Sequence, residues 1–168
     1  MKNSPSSRDL LSPRSLVLAG LVAAVYSAVT VLFAPLSYGP VQVRISEALT
    51  LLPFILPEAV PGLFVGCVLA NLAGGFGILD VVLGSAATLA AAMITARMPN
   101  AWLASVPPVM VNMLVVGGYL AYLTDSPFLY CSLYVGLGQV VSCVFLGVPL
   151  VLFLSGKMKK AGSPPPGS

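Results

Sequence analysis

The sequence predicts an all-α integral membrane protein, a bundle of six transmembrane helices, and three observations carry that expectation. Hydrophobic residues make up 58% of the 168-residue chain and charged residues only 8%, and the mean hydropathy is +0.99. The surface of a soluble domain would need many more charges. Backbone polar groups in hydrocarbon must find partners within the protein, which leaves helices or a closed barrel. Barrel strands alternate apolar and polar residues, whereas the runs Leu16 to Ala34 and Val135 to Leu154 are almost continuously apolar, so helices are selected.

Residues 1–14, with serines, prolines and both signs of charge, read as a mobile cytoplasmic arm ahead of a membrane domain over 15–156. The first span, 15–35, follows Arg8 and Arg14 as a secretory signal would, but it is a full span long where a signal core has about 7–15 apolar residues. Pro35 also occupies the position where cleavage would be expected, so the span is read as a mature helix. It carries small residues once per turn at Gly20, Ala24 and Ala28, beside a second series at Ala19, Ala23 and Ser27. Small residues let helix backbones approach closely in lipid, either within the bundle or against another subunit.

A polar island, Tyr38 to Glu47, interrupts the apolar pattern. The segment after it, 48–56, contains Pro53 and as an α-helix would cross barely half of a core about 30 Å thick. It is therefore expected to extend back through Ile45, with Ser46 a candidate cap, or to sit tilted. A helix over 61–74 presents Gly62, Gly66, Ala70 and Gly74 at four-residue spacing, the pattern of a close helix crossing. Gly74-Gly75-Phe76-Gly77 reads as a turn. Helices over 79–98 and 101–123 follow, the second with Pro107-Pro108, which suggests a kink. After Thr124-Asp125-Ser126-Pro127 comes a last span over 128–155, and residues 157–168, basic and then rich in proline, glycine and serine, read as a disordered tail.

With the N-terminus inside, Lys2, Arg8, Arg14, Arg97, Lys157, Lys159 and Lys160 all fall on the cytoplasmic side and only Arg44 falls outside. The positive-inside rule therefore favours both termini inside, in a multi-pass protein of the plasma membrane. Arg44, Glu47, Asp80, Asp125 and Tyr38 then gather at the outer face, with Asn71, Asn112 and Gln139 on the adjoining spans.

Ionisable residues in or against a membrane are costly and by default read as functional. Each also has a plainer reading. Asp125 suits a turn, and Asp80 suits a helix N-terminus stabilised by the dipole. Arg44 and Glu47 could be an ion pair, although an exposed one contributes only about 0–1 kcal/mol, which favours a ligand role for Glu47. Asn71 and Asn112 could merely bridge helices.

No histidine is present, which removes the usual general base and the commonest metal ligand. The chain has no G-x-x-x-x-G-K-[ST] loop and no nucleophile elbow. Its three cysteines, Cys67, Cys131 and Cys143, lack paired or metal-type spacing. Two of them lie in apolar segments and are expected to pack as small hydrophobes. Binding followed by transport is the natural class, with no catalytic residue, no metal and no cofactor expected.

Pro35 to Phe54 and Pro57 to Leu89 together resemble the QueT family. The second stretch includes Pro-Gly-Leu-Phe-Val-Gly-Cys at 61–67 and Ala-Asn-Leu-Ala-Gly-Gly-Phe-Gly at 70–77. Pro107-Pro108-Val109 to Asn112 and Leu146-Gly147-Val148-Pro149-Leu150 extend the resemblance to nearly everything between 14 and 155. That family comprises substrate-binding S components of energy-coupling factor transporters, associated with queuosine precursors. The resemblance implies six helices, an outward pocket, and partnership with a transmembrane coupling subunit and two ATP-binding subunits that hydrolyse the ATP. It also implies a 7-deazaguanine ligand, in the cyano or aminomethyl form or as queuine.

For such a ligand, Glu47 or Asp80 would accept from the adjacent N–H donors of the guanine-like edge, and Asn71 or Asn112 would donate to its carbonyl. Arg44 would orient the carboxylate, and Tyr38, Phe33 or Phe76 would stack on the ring. The resemblance leads one to expect glutamate in many relatives where this chain has Gln139, a difference that removes a countercharge for an aminomethyl cation. It also implies an Ala-x-x-x-Ala face on the first helix for the coupling subunit, matched by Ala24 to Ala28 and by Ala19 to Ala23. Rival readings are an S component for another vitamin-like solute, a small integral membrane enzyme, or a membrane scaffold.

Overall fold

The computed structural model describes residues 12–37, 43–75 and 77–160, and among these every regular element is helical. Helix α1 spans Pro13–Leu32, and Ala34–Ser37 adds one further turn. A 3-10 helix, Ile45–Phe54, leads to α2, Ala59–Gly74. Then come α3 (Asp80–Thr95), α4 (Ala101–Thr124) and α5 (Phe128–Lys160). Of these, α1, α4 and α5 are long and apolar enough to cross a membrane; the 3-10 helix, α2 and α3 are shorter apolar helices.

The exterior is apolar and the interior is partly polar, the reverse of a soluble protein. Val17, Leu32, Ile78, Leu129 and Phe145 are all well over half exposed. Arg44, Glu47, Asn71, Asp80, Asn112 and Gln139 are all buried. This is the distribution expected where lipid replaces water outside and polar groups must find one another inside.

The direction of each helix follows from its contacts. Gly62 lies against Ala19 and Gly66 against Ala23, so α1 and α2 run parallel. Asn71 reaches Ser85 while Thr88 reaches Cys67, so α2 and α3 are antiparallel. Thr95 bonds the Ala104 carbonyl while Tyr119 bonds Asp80, and Gly117 packs on Ser132 while Gly136 packs on Met113. Hence α4 is antiparallel to both α3 and α5. Arg14 at the start of α1, Arg97 past the end of α3 and the lysines ending α5 therefore share one end of the bundle. Arg44 and Asp80 lie toward the other.

The segment over 48–56 does extend back to Ile45 as expected, but it is a 3-10 helix, Ile45–Phe54, where an α-helix was expected. At about 2.0 Å per residue it reaches roughly 20 Å, against roughly 15 Å for ten α-helical residues, so this conformation stretches a short segment further across the bundle. Seven of its ten residues are buried, which makes it a central element. Ser46 does not cap it. The cap position is Arg44, without a side-chain bond, and the Ser46 hydroxyl pairs with Thr30 of α1 at 2.6 Å.

Three other local expectations change. Helix α2 begins at Ala59, two residues before Pro61. Pro107-Pro108 does not kink a continuous helix: α4 breaks at Ser105, and the prolines open its second segment, Val106–Thr124, where missing N–H groups cost least. Helix α5 continues to Lys160, so the three lysines are helical, and only 161–168 of the expected tail lie outside the described residues. Gly75 and Gly77 have φ of 71° and 98°, the left-handed backbone that the glycine turn requires.

Candidate functional site

Two runs of π-helix flank the buried polar groups. One opens α3 over Asp80–Gly84, and the other interrupts α5 over Val140–Gly147, immediately after Gln139. Each widens the local turn, a feature often found at functional sites. Gly84 ends the first run. A methyl group there would lie 2.9 Å from Asn71 Nδ2, 3.4 Å from Asp80 Oδ1 and 3.5 Å from the Tyr119 hydroxyl.

Between these elements lies a small cavity lined by Arg44, Glu47, Gly84, Thr88, Asn112, Val116, Val135 and Gln139. Its volume is ≈ 10 Å³, room for about one water. The 3-10 helix, α3, α4 and α5 all contribute to its wall.

Glu47 is 1% exposed. Tyr26 of α1 donates its hydroxyl to Glu47 Oε1 at 2.5 Å, a charge-assisted bond. Asn112 Nδ2 approaches Oε2 at 3.5 Å, the long limit of a hydrogen bond. A carboxylate has about four acceptor positions, so further donors can be accommodated. Gln139 Oε1 accepts from the Cys143 thiol at 3.4 Å, a weak donor.

Asp80 is 2% exposed but stands outside the cavity wall. Its Oδ1 lies 3.6 Å from Arg44 Nη2 and accepts the Tyr119 hydroxyl. Its Oδ2 has no hydrogen-bond partner among the described residues. Asn71 is likewise away from the cavity, its Nδ2 donating to the Asp80 backbone carbonyl at 2.9 Å, so it ties α2 to the π-helical opening of α3.

Four of the residues picked from sequence, Arg44, Glu47, Asn112 and Gln139, thus share one cavity. Asp80 and Asn71 stand behind it. Tyr38 and Phe76 lie outside the described residues, and Phe33, at the end of α1, is exposed. Asp125 is an exposed, left-handed cap of α4 with φ 49°. Sequence reasoning passed over Tyr26 and Tyr119. Both sit in apolar helices, and a tyrosine hydroxyl buried in such a helix needs a partner, which was the available signal.

The two small-residue series on α1 part company. Ala19 and Ala23 lie against Gly62 and Gly66 of α2, so this face is occupied within the chain. Ala24 and Ala28 are exposed, and a methyl added at Gly20 would meet nothing within 4 Å.

No curated protein and no solved structure matches the chain. The family model described as QueT transporter matches residues 16–156, from the first turn of α1 to the last turns of α5. The bundle that buries these polar groups among apolar helices is therefore that of a membrane transport protein, and the chain belongs to the QueT transporter family.

Proposed function

We propose that this chain is the substrate-binding S component of an energy-coupling factor importer and captures a queuosine precursor, a 7-deazaguanine, from outside the cell. The observation that carries the reading is the cavity in which a carboxylate, two carboxamides and a guanidinium meet within an apolar bundle. A guanine-like edge offers adjacent N–H donors beside a carbonyl, and Glu47 with Asn112 supplies the complementary acceptor and donor. Arg44 and Gln139 complete the polar wall. Asp80 holds Arg44 in position, and Asn71 holds Asp80.

In this proposal the 3-10 helix and α1 to α5 make six membrane segments with both termini in the cytoplasm, because the described basic residues other than Arg44 cluster at one end. The cavity then opens toward the outer face of the plasma membrane. A bicyclic base is far larger than the cavity, so loading requires its walls to separate. The Gly20, Ala24 and Ala28 face receives the transmembrane coupling subunit, and two ATP-binding subunits hydrolyse the ATP, so this chain is itself no enzyme.

Calorimetry of the purified chain with the cyano and aminomethyl 7-deazaguanines tests the reading. Wild type is expected to bind at least one of them. Glu47→Gln is expected to weaken that binding by about 2–4 kcal/mol, the cost of losing a buried, charge-assisted pair. Tight binding of a vitamin with neither deazaguanine bound would overturn the substrate assignment, and an unaffected Glu47→Gln variant would overturn the site.

A further inference from the structure

The closing segment of α5, Val148–Lys160, carries a face that changes from apolar to basic along its length. Pro149, Phe153, Gly156, Lys157 and Lys160 are all exposed, and at about 100° per residue they lie within roughly 100° of one another around the helix. Helix α5 has 33 residues, roughly 50 Å against a hydrocarbon core about 30 Å thick, so its last turns stand among lipid headgroups. Phe153 is 63% exposed, and the Lys157 ammonium lies over its ring, 5.5 Å from the centroid, which holds a cation at the edge of apolar surface. A methyl group added at Gly156 would meet nothing within 4 Å, so the helix backbone is bare between Phe153 and Lys160. Among the described residues neither lysine forms a salt bridge, and residues 161–168 include no Asp or Glu. The helix dipole favours cations in a last turn, but it calls for neither a bare backbone nor an exposed aromatic ring beside them.

We propose that this face of α5 binds an anionic phospholipid. Its phosphate sits between Lys157 and Lys160, neighbours three positions apart on the helix surface, its glycerol lies against Gly156, and an acyl chain runs along Phe153 and Pro149. The two ammonium groups supply the countercharge. A free phosphate would use the lysines and leave the apolar half of the face without a partner. Lys159 is turned about 160° away from Lys157 and stands outside the site. The site is separate from the polar cavity and does not depend on the function proposed above.

Native mass spectrometry of the full chain in detergent, titrated with phosphatidylglycerol and with phosphatidylcholine of the same acyl chains, tests the proposal. The readout is the Kd of phosphatidylcholine over that of phosphatidylglycerol. Each lysine near an anionic lipid headgroup favours it about fivefold, so a wild-type ratio of about ten or more is expected. The double variant Lys157→Gln/Lys160→Gln is expected to bring the ratio close to that of a neutral face, a fall of at least about fivefold. Lys159→Gln makes a charge change of the same kind off this face and should leave the ratio within about twofold. Gly156→Leu, a substitution favoured in a helix, covers the bare backbone and is expected to lower affinity for phosphatidylglycerol with the net charge unchanged. A wild-type ratio near one, or a preference that survives the double variant, overturns the proposal. An equal loss with Lys159→Gln would show diffuse attraction to the basic end and overturns the site, as does displacement of phosphatidylglycerol by inorganic phosphate at comparable concentration. A wild-type ratio near one together with failure of the double variant to assemble with partner subunits would assign the face to an acidic protein surface instead.

Discussion

Helices α1 and α2 each carry a row of small residues at four-residue spacing, and the two rows have different uses. On α2, Gly62 and Gly66 are pressed against α1: a methyl at Gly62 would collide with the Ala19 carbonyl oxygen and lie 3.0 Å from the Ala19 Cα. On α1, the row Gly20, Ala24, Ala28 faces outward, and added bulk at Gly20 meets open space. The same pattern, which permits close approach of backbones in lipid, is satisfied within the chain in one case and available to another protein in the other. Spacing identifies a close-packing face; only the neighbouring element says who uses it.

The sharpest way to break the comparison is Gly62→Val. Three added carbons would have to displace backbone, so the cost should exceed the 1–3 kcal/mol usual for overpacking, at about 3 kcal/mol or more. Loss of the monodisperse peak in fluorescence-detected gel filtration, or a large fall in Tm in detergent, is expected. Normal thermal stability would mean that α1 and α2 do not cross here. Next comes Ala24→Leu on the open row. Its Tm should stay within about 0.5 kcal/mol of wild type and ligand binding should be unchanged, while uptake in cells supplying the partner subunits falls at least about tenfold because backbones can no longer approach. Uptake at the wild-type rate would remove this face as the docking surface. The smallest effect belongs to Gly20→Ala, which should leave uptake largely unaltered and raise stability by up to about 1 kcal/mol through helix propensity. A drop in Tm would show that the row is packed after all.

The polar site was legible in sequence to the extent that its residues are chemically conspicuous. In a chain with so few charges, Arg44, Glu47 and Asp80 could be picked out because lipid makes each expensive, and Asn112 and Gln139 stood out for the same reason. The pairing was not legible. Arg44 and Glu47, three positions apart, suggested a pair in which the arginine holds the glutamate. In the structure Arg44 pairs with Asp80, thirty-six positions away, while Glu47 is held by Tyr26 and approached by Asn112. Spacing along one segment is informative only when the helix type is known, and here Arg44 precedes a 3-10 helix that sequence reasoning treated as α-helical.

By itself the sequence determined that this is a helical membrane protein, where its glycine turn falls and which residues are too polar to face lipid, because each of these follows from local composition and backbone sterics. Its resemblance to the QueT family, carried by short stretches along the chain, agrees with the family model that matches residues 16–156. Tertiary structure alone decided that the segment bearing Glu47 is a buried 3-10 helix, that Asp80 and Asn71 stand behind the cavity, and that two tyrosine hydroxyls bond the carboxylates. The reason is physical. Once helices pack, each buried polar atom must find whatever partner lies within about 3 Å, and those partners come from other helices, at separations along the chain that no local pattern records.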